Sequence, residues 1–157
     1  MNSYVREHFQ VFRSTQAMRD QLMDILTDED LAFTPGGHNP SLGALCRESG
    51  EVQAAYTQSL KNHKLDFSYR NPDPALESSV QKLAAWLQAQ DHELRAIIEG
   101  LSEEDLGQPI DRGGWSVPAG VQLHIYREAL LIFYGKACVY LKAMGRPLPE
   151  QWQAWIG

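Results

Sequence analysis

The stretch SVPAGVQLHIYREALLIFYGKACVYLKAM, residues 116–144, decides the fold. It reads as one helix about 28 residues long, with Ser116 as its cap, Pro118 in its first turn and Gly145 at its close. Two faces of this helix are apolar. Tyr126, Leu130, Phe133, Ala137, Tyr140 and Met144 fall within roughly 40° of one direction and mark the side that enters a core. On the opposite side lie His124, Glu128, Leu131, Ile132, Gly135, Cys138 and Val139, more apolar surface than a water-facing side carries. Gly135 costs about 1 kcal/mol in a helix interior, which close approach of another helix offsets. Two covers follow, and they are compatible. One is the tail PLPEQWQAWI (147–156) folding back; the other is a homodimer through Leu131, Ile132, Gly135, Cys138 and Val139.

Three more helices precede it. Residues 3–27 place Val5, Phe9, Phe12, Leu22 and Leu26 on one side of a helix. Pro35, Gly36 and Gly37 make 31–39 a loop, after which Asn39 is expected to cap a second helix with Pro40 in its first turn. The buried stripe of that helix is Leu42, Leu45, Ser49, Val52, Tyr56 and Leu60. Asn71-Pro72-Asp73-Pro74 breaks the chain. The third helix, about 76–100, runs on Val80, Leu83, Leu87, Leu94, Ile97, Ile98 and Leu101. Ser102-Glu103-Glu104-Asp105 forms one capped turn, and Gly113-Gly114 separates it from the fourth helix. Four amphipathic helices with modest connections predict an all-α four-helix bundle, a single domain over 1–157. The longest connection, 64–75, is the one able to carry the chain across the bundle.

Composition narrows the function. The chain has 157 residues, 43 % hydrophobic and 22 % charged, with net charge −6. Its 14 Lys and Arg are scattered, so no basic face opposes a nucleic-acid backbone. The opening MNSYVREHFQVF lacks a secretory order, and no apolar run of about 18 residues spans a membrane. Cys46 and Cys138 stand alone in helical patterns and read as buried thiols in a reducing cytoplasm.

LAFTPGGHNPSLGALCRESGEV (31–52) and YGKACVYLKAMGRPLP (134–149) resemble the loop, second-helix and fourth-helix signatures of the DinB-like superfamily of bacterial four-helix bundles. The resemblance implies an up-down-down-up bundle, commonly a dimer. It further implies a divalent metal held by three histidines, which some members use to transfer groups to small thiols. The matching positions here are Glu48 on the second helix and Ala129 and Phe133 on the fourth. Two imidazoles one turn apart face a single point; alanine and phenylalanine there offer no donor. The expectation is therefore no metal and no cofactor. In their place a pocket for a small molecule is expected between the second and fourth helices, lined by Glu48, Tyr56, Tyr126, Ala129 and Phe133. Glu48 is read as inward-facing, with Lys136 as its partner.

The alternative is a metal-dependent enzyme of the thiol-transferase kind, with a substitute site from Glu48, His124 and Glu128. Helical geometry opposes it, because His124 and Glu128 point roughly 160–200° from the core direction. His92 and His63 read as solvated, His38 as a turn residue and His8 as partly buried. Trp86, Trp115, Trp152 and Trp155 read as packing anchors. No nucleophile elbow, phosphate loop or dinucleotide motif is present.

Overall fold

The computed structural model describes residues 1–157. Its helices are α1 (Ser3–Glu7), α2 (Phe9–Ile25), α3 (Leu42–Asn62), α4 (Val80–Gly100), α5 (Glu103–Gly107), α6 (Ala119–Ala143) and α7 (Glu150–Trp155). Short strands β1 (Pro109–Asp111) and β2 (Ser116–Pro118) pair antiparallel just before α6. No helix is long and apolar enough to cross a membrane.

Side-chain caps set where the helices begin. Asn2 Oδ1 accepts from the Val5 amide at 2.9 Å, and its Nδ2 donates to the Ile98 and Leu101 carbonyls, fastening α1 to the end of α4. The expected first helix is broken at His8, whose φ of −123° and ψ of −16° leave the helical region. Ser41, not Asn39, caps α3 by accepting from the Ala44 amide at 3.1 Å; Asn39 instead ties back to Gly36 within the loop. Ser79 caps α4, which starts later than expected because a 3-10 turn at Pro74–Glu77 occupies its predicted first residues. Ser102 and Asp105 form the reciprocal capping box on α5. Ser116 belongs to β2 rather than capping α6, and α6 begins after Pro118 without a side-chain cap. Gly145, with φ of +69°, ends α6 as the sequence predicts.

Contacts between the four long helices fix their directions. Gln16 of α2 meets Asp91 of α4 while Asn2 meets Ile98, so these helices run opposite ways. Gln53 meets Asp91 and Lys61 meets Glu93, so α3 and α4 are parallel. Ser59 meets Gln122 and Pro40 meets Tyr140, so α3 and α6 are antiparallel. The order is up-down-down-up, and the 63–79 segment carries the chain across the bundle.

Apolar stripes from all four helices close one core, including Phe12, Leu22, Leu42, Leu45, Leu83, Leu94, Tyr126 and Leu141. At Gly50 a Cβ would stand 2.6 Å from Trp86 Cη2 and 2.8 Å from Leu87 Cδ2, so glycine lets α3 and α4 approach. The tail packs elsewhere than expected. Fully buried Trp152 donates to the Met18 carbonyl at 3.0 Å and packs on Tyr134, sealing the seam between α2 and α6. Cys138 is buried and Leu131 half-buried, so both leave the expected exposed strip. Ile132 (62 % exposed) and Val139 (57 %) remain uncovered on either side of Gly135. Trp115 and Trp155 are exposed and anchor nothing in the core, unlike Trp152.

Candidate functional site

A cavity of about 170 Å³ lies between α3 and α6. Helical spacing builds it: Leu45, Ser49 and Val52 descend one side of α3 against Tyr126, Ala129 and Phe133 on α6. Four of the five expected pocket residues line it, namely Glu48, Tyr126, Ala129 and Phe133. Tyr56 does not. It is buried beside the cavity, packed on Tyr126 at 5.0 Å between ring centres and on Phe67 at 5.8 Å, with the Arg112 guanidinium over its ring. Glu48 is exposed at the rim rather than turned inward, because it lies about 100° around α3 from Ser49. It makes no ion pair with Lys136, which also stands at the rim. Glu48 and Val52 also line a wider neighbouring groove of about 500 Å³. The positive charge there is committed, since Arg47 donates to Glu51 at 3.1 Å and to Glu77 at 2.9 Å.

Beneath the cavity runs a buried polar layer that the apolar stripes conceal. Asp91 Oδ1 accepts from Arg19 Nη2 at 2.7 Å and from the amides of Gln16 and Gln53 at 2.8 Å each. Arg19 also donates to Gln53 Oε1, which accepts the Tyr126 hydroxyl at 2.8 Å. All five side chains are at most 3 % exposed and come from α2, α3, α4 and α6. Burial alone would strip charge from Arg19, but the Asp91 carboxylate, with Tyr126, Tyr134 and Asp20 adding to it, outweighs burial and holds the guanidinium protonated. Burial pushes the Tyr126 hydroxyl far above the usual tyrosine range, so it acts as a fixed donor at neutral pH. The cavity floor is thus pinned through Gln53 to the centre of the bundle. The signal was present in sequence as gaps in the stripes: Gln16 and Arg19 between Phe12 and Leu22, Gln53 between Ser49 and Tyr56, Asp91 between Leu87 and Leu94.

The substitute metal set does not assemble. His124 packs against His8, ring centres 4.6 Å apart, and against Tyr4 at 5.2 Å, at the α1 end of α6 and away from Glu48. Burial, then His8 and Arg127, lower the His124 pKa and favour its neutral form. No three histidine, cysteine, aspartate or glutamate side chains are grouped to hold a cation. The three positions that the resemblance would assign to a metal do not suit one here: of Glu48, Ala129 and Phe133, only the exposed carboxylate has a donor atom. Cys46 lies next to Leu45 and is fully buried, its thiol pushed up to about 12 by burial despite the opposing charge of Arg19. A thiol so placed is no nucleophile at neutral pH.

A sequence profile described as the DinB superfamily matches residues 12–133. Among solved structures, a DinB-like protein from Bacillus subtilis superposes with a TM-score of 0.71 at 19 % identity, covering 88 % of this chain and 92 % of its own. A DinB-like protein from Bacillus cereus gives the same TM-score and identity, covering 90 % of this chain and 93 % of its own. At that identity the two structures attest the fold alone. No curated protein matches the sequence.

Proposed function

The chain belongs to the DinB superfamily, and from that premise we propose that it is a binding protein working as a homodimer, with its ligand pocket between α3 and α6. The observation that carries this reading is the lining of the cavity. Ala129 and Phe133, one turn apart, face a mostly apolar space whose sole carboxylate, Glu48, is exposed at the rim. Such a lining takes an apolar body rather than a cation. Two free cysteines, both buried, support placing the protein in a reducing cytoplasm. The pocket reading is tested by elemental analysis of untagged protein purified without chelator, and by melts with and without added Zn²⁺ or Ni²⁺. No stoichiometric metal and no shift are expected. His124→Ala is run alongside, so that a surface contact between His8 and His124 is not mistaken for the pocket. A bound cation that survives in His124→Ala contradicts the reading.

The dimer reading rests on the uncovered side of α6. Ile132, Gly135 and Val139 face outward, and a Cβ at Gly135 meets nothing within 4 Å in the single chain. A two-fold axis through Gly135 sets Glu128 against the partner's Lys142, since Glu128 and Lys142 lie seven residues either side. Both charges are exposed in the single chain. Ile132 lines the pocket as well as the strip, so the partner would close the pocket mouth. A stable dimer should bury at least about 1,000 Å² in total. Sedimentation of the unmodified protein should give a dimer at micromolar concentration. Gly135→Leu should give a monomer that keeps its helical circular dichroism, because the space beside Gly135 is open within the single chain. A monomeric unmodified protein overturns the dimer.

A further inference from the structure

On the side of the bundle formed by α1, α2 and α4, diagonally across from the pocket, a groove of about 670 Å³ gathers Arg6, Arg13 and Arg95. The chain as a whole carries −6, yet Asp20 is the one carboxylate lining this groove. Of the nine arginines, eight donate a hydrogen bond within the chain. Arg13 alone has neither a hydrogen-bond partner nor an ion-pair partner, although it borders a concave surface.

Arg95 is held differently. Its Nε donates to Gln16 Oε1 at 2.8 Å, and the fully buried Gln16 donates in turn to Asp91 at 2.8 Å. The buried polar layer therefore fixes one edge of the Arg95 guanidinium and leaves both Nη groups without a protein partner. A guanidinium oriented in advance loses little freedom on meeting an oxyanion, and two N–H groups on one edge match two oxygens. Asp20 is a single carboxylate against three guanidinium groups, so the groove keeps an excess of positive charge. Arg6 reaches the groove from α1, its Nη1 donating to the Met1 carbonyl at 2.8 Å and its Nη2 shared with Glu103 at 3.5 Å.

We propose that this groove is a second binding site, taking the phosphate group of a small anion between Arg13 and Arg95, with Arg6 as the outer contact. Tetrahedral phosphate presents enough oxygens for guanidinium groups from three separate helices, and its charge near neutral pH answers the local excess of cations. The site is independent of the pocket between α3 and α6, with which it shares no residue.

The test is isothermal titration at constant ionic strength with inorganic phosphate and with glycerol phosphate, using sodium chloride as the balancing salt. Saturable one-to-one binding is expected. Arg13→Ala should weaken it at least tenfold and Arg13→Glu should abolish it. Neither change should move the melting temperature in phosphate-free buffer, because Arg13 contacts no other side chain through a polar bond. Arg70→Ala, at another exposed arginine, should leave binding unchanged. Tighter binding of the ester would identify an organic phosphate as the source, and equal affinity the free ion; both bear out the phosphate chemistry. Absence of saturable binding by either probe, or binding retained in Arg13→Glu, overturns the proposal.

Discussion

Asp91→Ala probes the centre of the bundle most severely. One oxygen, Asp91 Oδ1, accepts from Arg19, Gln16 and Gln53, and none of the four side chains is more than 3 % exposed. Removing the carboxylate strands the Arg19 guanidinium, whose Nε and Nη1 already lack partners. An uncompensated buried charge costs about 3–5 kcal/mol. The two orphaned amides belong to the same network, so their loss overlaps that figure instead of adding fully to it. Against a total stability of about 5–15 kcal/mol, this is a large share. With a urea slope of about 2 kcal/mol per molar, the unfolding midpoint should fall by roughly 1.5–2.5 M. The companion is the double variant Arg19→Met with Asp91→Leu, which removes both charges while keeping volume. It should be markedly more stable than Asp91→Ala, because an apolar pair in place of a buried ion pair is often neutral. A loss below about 1 kcal/mol in Asp91→Ala, or a double variant no better than the single, would refute the view that Asp91 is the counter-ion holding this layer together.

Two other outcomes follow from named contacts. Burial alone would raise the Asp30 pKa, but the Thr27 amide and Arg146, which donates to both carboxylate oxygens, outweigh it and hold it below the usual range. The folded pKa is depressed, so its stabilisation is present above about pH 4 and is lost as pH falls through the folded value; Asp30→Asn should flatten the acid limb of the stability profile, and an unchanged limb in urea melts from pH 2 to 6 would contradict this. The Cys46 thiol, pushed up to about 12 and fully buried, should stay unreactive toward a thiol-exchange reagent at pH 8 and label only on unfolding; rapid labelling of the native protein, traced to Cys46 by peptide mapping, would be the contrary result.

Much of this architecture is legible in the sequence because apolar periodicity records it directly. Leu42, Leu45 and Leu60 on α3 and Tyr126, Leu130 and Tyr140 on α6 are all buried as their spacing requires. Where the reading failed, a competing local interaction won. Ser41 outcompetes Asn39 as a cap because Pro40 keeps Asn39 in the loop, where its side chain finds Gly36. The β1–β2 hairpin went unread because three-residue strands with Pro109 and Pro118 at their ends carry no alternating pattern. Cys138 lies on the back of α6 by helical angle, yet it is buried while Ile132 and Val139 on that side stay bare. The polar layer escaped because a search for apolar stripes skips over Gln16, Arg19, Gln53 and Asp91, although each occupies a core position. The site itself was half visible. Ala129 and Phe133 follow from helical spacing, whereas Glu48, about 100° around α3 from the buried Ser49, sits at the margin of the buried stripe and falls on its exposed side.

The central claim is that the space beside Ala129 and Phe133 is a pocket for an apolar ligand. Titration with phenylnaphthylamine, an uncharged fluorescent probe that the arginine groove has no reason to hold, tests it directly. The unmodified protein should bind one equivalent per chain with enhanced emission. Ala129→Leu, which fills the cavity from α6, should weaken binding at least tenfold while the helical circular dichroism stays the same. Equal binding by both proteins, or no saturable binding by the unmodified one, would contradict the account.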